Sequence, residues 1–499
     1  PRGEAAQMRL GPATVLPLIL LLLLTALPAV RAQPQTDDDF RRPAQSDNRS
    51  SNDMRRPDGD DVRRRAEDLS RMPPNGADRQ DTDALAPYGG PNPDLRGQIG
   101  QLGASITQNG GARTIVPLPP PVGRRPGSGV PAAGERRLIP TEVVAEMASP
   151  ATPQGIAALV LRNNLTLIDQ LASQLTGTTL LLLRIPDQRP LAAVIGALQA
   201  DAAVLSAQPN YLFALQDAGA AGGDPLQYAS LKLRLPEAHK LAAGDNVLVG
   251  VIDSGIDARH PELAGSIAAT FDAIGHAGGP HDHGTAIAGL IVAHGRLTGT
   301  APRARLLAVR AFDAAGNAAQ GTTFNILKGL DWMAVKGARV INMSFAGPSD
   351  PAIHRGLEGA FRNRIMLIAA AGNAGPKSPP LFPGADPDVL AVTATDATDK
   401  IFAAANRGGY IAVAAPGVDV LVAAPDGSYQ VSSGTSFSAA EVSGIAALMI
   451  QKHPDLTPQA VRVILMSTAK PLKQGGDPRL ADAYQAVASQ QNTQRAAGR

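Results

Sequence analysis

The sequence predicts an α/β protein whose main body is a doubly wound, mostly parallel sheet with helices on both faces. Three observations predict it. Short runs such as "NVLVGVID", "RLLAVRAF", "RIMLIAAAGN", "VLAVTATD" and "YIAVAAPG" are nearly continuous in Val, Ile, Leu and Ala. They do not alternate with polar residues, which marks strands buried on both faces. Helical patterns lie between them, among them "FNILKGLDWMAV", a helix from His283 and another after Ser436, and strands alternating with helices build parallel sheets. Ahead of this stretch, a separate run has the order strand-helix-strand-strand-helix-strand, which implies a small α+β domain of its own.

The parts follow in chain order. Within residues 1–32, Met8-Arg9 lead into an apolar run to Leu27, closed by Val30-Arg31-Ala32. The run is shorter than the ~20 residues a spanning helix needs. With its small-x-small closure it reads as a secretory signal peptide cut after Ala32. Export to the exterior or a periplasm is expected, with no stable membrane span after cleavage. Residues 33–136 are polar, Pro/Gly-rich and dense in both charge signs, so they are expected to be disordered, with the proline run at 117–121 a stiff spacer. Residues 137–216 hold the strands "TEVVAEM", "LTLIDQLA", "TTLLLLRIP" and "VLSAQPNYLFAL" and the helices "PQGIAALVLRNN" and "LAAVIGALQAD", a split βαβ, ferredoxin-like order. Residues 217–224, in the tract "QDAGAAGGDP", read as a flexible, cleavable linker. The large domain covers 225–490, and 491–499 read as a disordered tail.

Bulk properties exclude several classes. A net charge of +2 with 18% charged residues leaves no global field for nucleic acid, and none is expected as a partner. The sequence has no cysteine, which removes disulfides, a thiol nucleophile and thiolate metal sites.

Four residues could carry chemistry. Asp253 ends "VLVGVID" and is followed by Ser254-Gly255. A strand-end aspartate commonly closes a turn. At the carboxyl end of a buried parallel strand it also stands where it could fix the tautomer of an imidazole. His283 enters the helix of "HDHGTAIAGLIVA", where Gly284, Ala286, Ala288 and Gly289 allow close packing; His294-Gly295 shows that "HG" alone is weak. Asn373 ends "RIMLIAAAGN" as a turn former or as an amide donor to a developing oxyanion. Ser436, in "GTSFSAAEVSGIAALM", stands where a glycine-led turn becomes a helix. It is an N-cap using its oxygen locally, or a nucleophile presenting it to a cleft.

Taken together, in the order Asp253, His283, Asn373, Ser436 and each at an element end, these residues resemble those of the subtilisin-like serine proteases (subtilases), whose triad has the same chain order. The resemblance covers residues 225–487 and is carried by "VIDSGID", "HPEL", "HGTAIAG", "GTAPRARLLAVRAF", "INMSFAGP", "AAAGNAG", "AAPG", "SSGTSFSAAEVSG" and "LADAYQAV". It implies a secreted serine endopeptidase, self-processed from a precursor, that acts through an acyl-enzyme. Asp253 would orient His283, His283 would act as base and then acid, and Ser436 would attack the scissile carbonyl. Asn373 and the backbone N–H of Ser436 would form the oxyanion hole. Ser344, Phe345, Ala346 and Gly347 match the segment that pairs with extended substrate. Residues 137–216 resemble the family's propeptide, an inhibitor and chaperone whose closing strand leads into the cleft. Protein or peptide substrates and this propeptide-like domain are the partners it implies, with self-cleavage between Leu215 and Pro225.

The sequence also departs from the family. Ala286 stands where members commonly have a histidine, and Ala440 and Glu441 replace a proline and a histidine. The loop at 291–300 is short and offers no side-chain carboxylate, so no cofactor is expected and the family's calcium ion is doubtful there. Leu381 and Ala346 suggest a shallow specificity pocket, favouring a small or medium apolar residue before the cut. Two other readings stand beside this one. A pseudoprotease that binds peptides uncut is disfavoured by the four intact positions; the other is a secreted structural or adhesion protein working through its N-terminal region.

Overall fold

A computed structural model of the chain describes residues 115–119, 129–216, 227–315, 318–473 and 475–489, all within the compact unit Gly89–Arg499. The expected signal segment, the 217–224 linker, the 491–499 tail and most of 33–136 lie outside the described residues.

The small domain consists of β1 (Leu138–Ala148), α1 (Pro153–Arg162), β2 (Thr166–Ser173), β3 (Thr178–Arg184), α2 (Leu191–Ala200) and β4 (Val204–Leu215). Its strands pair antiparallel in the order β2-β3-β1-β4. The four consecutive leucines of β3 have a structural reason. Leu181 and Leu183 face α1 and α2, packing with Ile156, Leu159, Ile195 and Leu198. Leu180 and Leu182 face the other way, into a core with Phe324, Leu327 and Leu357 of the large domain. An antiparallel strand with one wet face would alternate; this one is covered on both.

The large domain runs through α3 (Tyr228–Leu233), α4 (Leu235–Ala238), β5 (Leu248–Asp253), β6 (Ile267–Asp272), α5 (Asp282–Val292), β7 (Arg305–Arg310), β8 (Phe312–Ala315), β9 (Ala318–Thr322) and α6 (Thr323–Val335). It continues with β10 (Val340–Met343), β11 (Phe345–Ala346), α7 (Pro351–Arg362), β12 (Met366–Ala370), β13 (Leu390–Thr395), β14 (Ile411–Pro416), β15 (Val420–Ala424) and β16 (Ser428–Ser432). The last elements are α8 (Thr435–Lys452), α9 (Pro458–Thr468), β17 (Arg479–Leu480) and α10 (Ala483–Ala488). Among the described residues, β17-β14-β13-β12-β10-β5-β7-β6 form one sheet in which every pairing is parallel.

Side chains partition with period two across this sheet. Val249, Val251, Ile368 and Val392 join the core under α5 and α8, whereas Ile252, Ile341, Met343 and Leu367 join the core under α6 and α7. From β5 the chain first builds β6 and β7 on one side and then β10 and β12 on the other. The reversal opens a crevice beyond the carboxyl ends of β5 and β10, where open parallel sheets bind ligands. Helix α8 is buried from Thr435 to Ile450, which explains why "GTSFSAAEVSGIAALM" has no polar face.

One segment departs from the expected spacer. Residues 115–119 dock across the two domains. Val116 and Asn363, at the end of α7, exchange two hydrogen bonds of 2.8 Å each. Leu118 is buried, and its N–H donates to Leu175 O of the small domain at 2.9 Å. A proline-rich segment is already extended and loses little entropy on docking this way.

Candidate active site

Asp253, His283, Asn373 and Ser436 stand at the ends of four different elements. Asp253 and His283 meet as one pair, Asn373 and Ser436 meet at the Gln216 carbonyl, and the His283 ring centroid lies 5.9 Å from that of Phe437, next to Ser436. Asp253 closes β5 and is fully buried. Its Oδ1 accepts the N–H of Ser254 (2.7 Å), which is the turn-closing use, the Ser254 hydroxyl (3.1 Å), and His283 Nδ1 (2.8 Å). A carboxylate only accepts, so the proton between them belongs to Nδ1 and the second ring nitrogen is the acceptor. His283 lies in the first turn of α5, whose N-cap is His281. Gly284 lets the helix approach β5: a Cβ there would stand 2.8 Å from Ser254 O and 2.9 Å from Gly255 O. The glycine of "HGT" is therefore a steric requirement for bringing imidazole and carboxylate together.

Ser436 does not cap its helix. Gly434 is the N-cap of α8, and no side-chain capping bond is made. The Ser436 Oγ lies instead 2.6 Å from the carbonyl oxygen of Gln216 and 3.0 Å from that of Ser344, sharing one proton between two acceptors. Asn373 follows β12. Its Oδ1 accepts from Thr435 N (3.2 Å) and Thr435 Oγ1 (2.9 Å), which turns Nδ2 to Gln216 O at 3.0 Å. One carbonyl oxygen thus lies between a serine hydroxyl at 2.6 Å and an amide donor at 3.0 Å.

That carbonyl ends an extended chain. Leu212, Phe213 and Ala214 pair with β9, and Ala214 and Leu215 pair antiparallel with Ala346 and Phe345 of β11. The N–H of Gln216 reaches Ser344 O at 3.3 Å. Phe213 is buried against Phe345, ring centroids 5.9 Å apart. Ser344, Phe345, Ala346 and Gly347 therefore border this inserted strand, with Gly347 paired on to Phe382.

The pocket residues imply a small or medium apolar residue before the cut, whereas the residue whose carbonyl reaches Ser436 and Asn373 is Gln216. Its Oε1 accepts the N–H of Asn373 (2.9 Å), and its Nε2 donates back to the carbonyls of Ala214 (3.1 Å) and Leu215 (3.3 Å). The side chain is satisfied at the rim and needs no deep apolar pocket, consistent with Leu381 being buried beside Gly372. Sequence reasoning missed Gln216, Thr435 and Ser254, for no local pattern says which distant group they meet.

Glu262 of "HPEL" has a bracing role. Its carboxylate accepts three successive backbone N–H groups of the loop after α5, from Gly295 (2.8 Å), Arg296 (2.7 Å) and Leu297 (3.1 Å). Gln227 holds the same loop through Arg296 O and Thr298 N.

Glu441 lies on α8 beyond Ser436, buried, accepting the Thr300 hydroxyl. Burial pushes its carboxyl up to about 8 from 4.5. With its folded pKa above its unfolded one, Glu441 stabilises the fold in full below pH 4.5, and this contribution is lost as pH rises to about 8. Each pH unit in that window costs on the order of 1 kcal/mol. Between pH 6 and 9 the wild-type Tm should fall by roughly 5–10 °C through this group. Glu441→Gln should remove most of that fall in a pH series of thermal melts; an equal fall in both proteins would contradict it.

Comparison with known proteins gives the family and the fold. The profile described as "Subtilase family" matches residues 244–489. Thermitase of Thermoactinomyces vulgaris is 32% identical over 231 residues, covering 45% of this chain and 81% of thermitase. Subtilisin E of Bacillus subtilis (strain 168) is 35% identical over 254 residues, 48% of this chain and 65% of the relative. Among solved structures, fervidolysin from Fervidobacterium pennivorans, described as a keratinolytic enzyme related to subtilisin, has a TM-score of 0.62 at 20% identity. That match covers 76% of this chain and 63% of fervidolysin, and at such identity it shows a shared fold.

Proposed function

Because the chain belongs to the subtilase family of serine endopeptidases, we propose that it hydrolyses peptide bonds through Asp253, His283 and Ser436, first of all its own bond between Gln216 and Asp217. The observation that carries this is the Gln216 carbonyl, 2.6 Å from Ser436 Oγ and 3.0 Å from Asn373 Nδ2, at the end of a paired strand.

In this reading Ser436 Oγ attacks the Gln216 carbonyl carbon while His283 takes the hydroxyl proton, and Asp253 stabilises the imidazolium. The carbonyl oxygen becomes an oxyanion, to which Asn373 Nδ2 donates. Collapse breaks the C–N bond. His283 returns the proton to the departing amine of Asp217, leaving Gln216 as an ester on Ser436. Water, deprotonated by His283, then releases the carboxylate and restores the serine. Residues 217–226 lie between the inserted strand and Gln227.

The small domain, on this reading, is a ferredoxin-like propeptide domain that folds with its enzyme and blocks it. Its side chains cap two helices of the large domain. Asn210 Oδ1 accepts from Phe324 N at the start of α6 (3.2 Å), and Gln208 Oε1 accepts from Ala352 N at the start of α7 (2.9 Å). Gln208 Nε2 also donates to the fully buried Asp350 (2.7 Å), the N-cap of α7. If the domain left, Phe324 N at the start of α6 would lose its acceptor and Asp350 its donor from Gln208, although Ala352 N would keep the Asp350 carboxylate at 2.9 Å; this favours a complex that outlasts the cut. Residues 115–119 add to this hold. Export through the segment ahead of Ala32 completes the proposal; no helix among the described residues is long and apolar enough to cross a membrane.

The test is the N-terminus of the large fragment, read by mass spectrometry. It should begin at Asp217. A start elsewhere in 218–225 would detach Gln216 from the reaction, and an uncut, fully active protein would make the small domain a permanent module.

A further inference from the structure

Asn406 lies between β13 and β14 and is fully buried. Its backbone N–H donates to Gly372 O at 2.9 Å, and its side-chain Oδ1 accepts from Ala374 N at 3.0 Å. It therefore grips the residues on either side of Asn373. Its Nδ2 reaches the other way, to Ser378 Oγ (3.3 Å) and Pro379 O (3.4 Å), in the segment that leads to Leu381.

The turn so held is a special one. Gly372 has φ +108°, a conformation that side-chain-bearing residues rarely adopt, and a Cβ there would stand 2.9 Å from Leu381 Cδ1 and 3.0 Å from Asn406 Nδ2. Its N–H donates to Thr435 Oγ1 at 3.2 Å. Thr435 thus holds the turn from the α8 side and Asn406 holds it from beneath. An amide aimed from an unsupported turn would sample several directions, whereas one clamped at both flanking residues is held on one line.

We propose that Asn406 is a positioning residue for the oxyanion-binding amide, acting through the 372–374 turn, and that it couples that turn to the wall carrying Leu381. The proposal rests on the oxyanion role given to Asn373 above. Among the described residues, the hydrogen bonds of the Asn406 side chain go to the turn, the wall and the Tyr410 hydroxyl, and none goes to Gln216. Its effect should therefore appear in turnover and only through Asn373.

The experiment is a double-mutant cycle in the full chain, with kcat and KM measured on a chromogenic peptide after processing and folding checked by thermal melts. Asn406→Ala should lower kcat by about 10–100-fold, the scale of a small misplacement of a catalytic group, with KM within about twofold. In the Asn373→Ala background the same change should cost less than about twofold, since the amide it positions is gone. Asn406→Asp keeps the oxygen that accepts from Ala374 N, so it should keep more turnover than Asn406→Ala; it also serves where the alanine variant does not fold. Equal losses in both backgrounds would overturn the coupling while leaving the role of Asn373 standing. A raised KM with unchanged kcat, or no loss at all, would overturn it as well. If Asn373→Ala alone leaves kcat unchanged, the oxyanion assignment fails and this proposal fails with it.

Discussion

Ser436→Ala is expected to lower turnover on a peptide substrate by about a millionfold, a magnitude carried over from subtilisin rather than obtained from this geometry. The change removes one hydroxyl from the first turn of α8. Because Gly434 caps that helix and the hydroxyl satisfies no helical N–H, the helix start loses no acceptor. Ser436 is buried, but Gln216 O keeps Asn373 Nδ2 and Ser344 O keeps Gln216 N as donors, so the variant should lose about 1 kcal/mol, a fall in Tm of roughly 2–4 °C. The variant should also remain a single chain, its Gln216 carbonyl still held by Asn373 Nδ2. Retention of even a tenth of wild-type hydrolysis would mean that Ser436 is not the nucleophile. Cleavage after Gln216 that persists in the variant would assign the processing to another protease.

Asn373→Ala should produce the next largest loss, about 10²–10³ in kcat, again the value known for subtilisin. The amide is turned by two donors on its oxygen, from Thr435 N and Thr435 Oγ1, so that its nitrogen faces the carbonyl. Charge on that carbonyl oxygen develops only in the transition state, so kcat should fall while KM stays nearly constant. Asn373→Asp separates direction from charge. It keeps an acceptor for Thr435 but presents a second acceptor to the carbonyl oxygen, so it should be at least as impaired as the alanine variant. A large rise in KM with intact kcat would assign Asn373 to ground-state binding and remove it from the oxyanion hole.

Burial is what local pattern encodes, and burial is what could be read. The near-continuous apolar runs of β5, β12, β13 and β14 announced strands covered on both faces, and the structure covers them. The all-round apolar character of α8 announced a central helix. Asp253, His283, Asn373 and Ser436 could be named because each stands at the end of such an element. Less regular elements were not legible: β6 is only half-buried, and the β8–β9 hairpin rests on pairing rather than on an apolar period.

Partner identity was decided only by the tertiary structure. Whether Ser436 caps a helix or faces a carbonyl depends on Gln216, 220 positions away. Whether the residue at the crevice is apolar depends on the Asn373 N–H that satisfies the Gln216 side chain. The four leucines of β3 read only as a strand; that α6 and α7 cover its second face is seen in the packing. Asn406 had no signal at all, since a buried asparagine in a loop looks like any other turn former. The docking of 115–119 contradicts its composition because two hydrogen bonds to Asn363 and the burial of Leu118 outweigh a polar, proline-rich neighbourhood. The physical reason is common to all of these. A residue's period and neighbours determine whether it is buried, while its hydrogen-bond partners come from segments tens to hundreds of residues away, brought together only when the sheet and its helices pack.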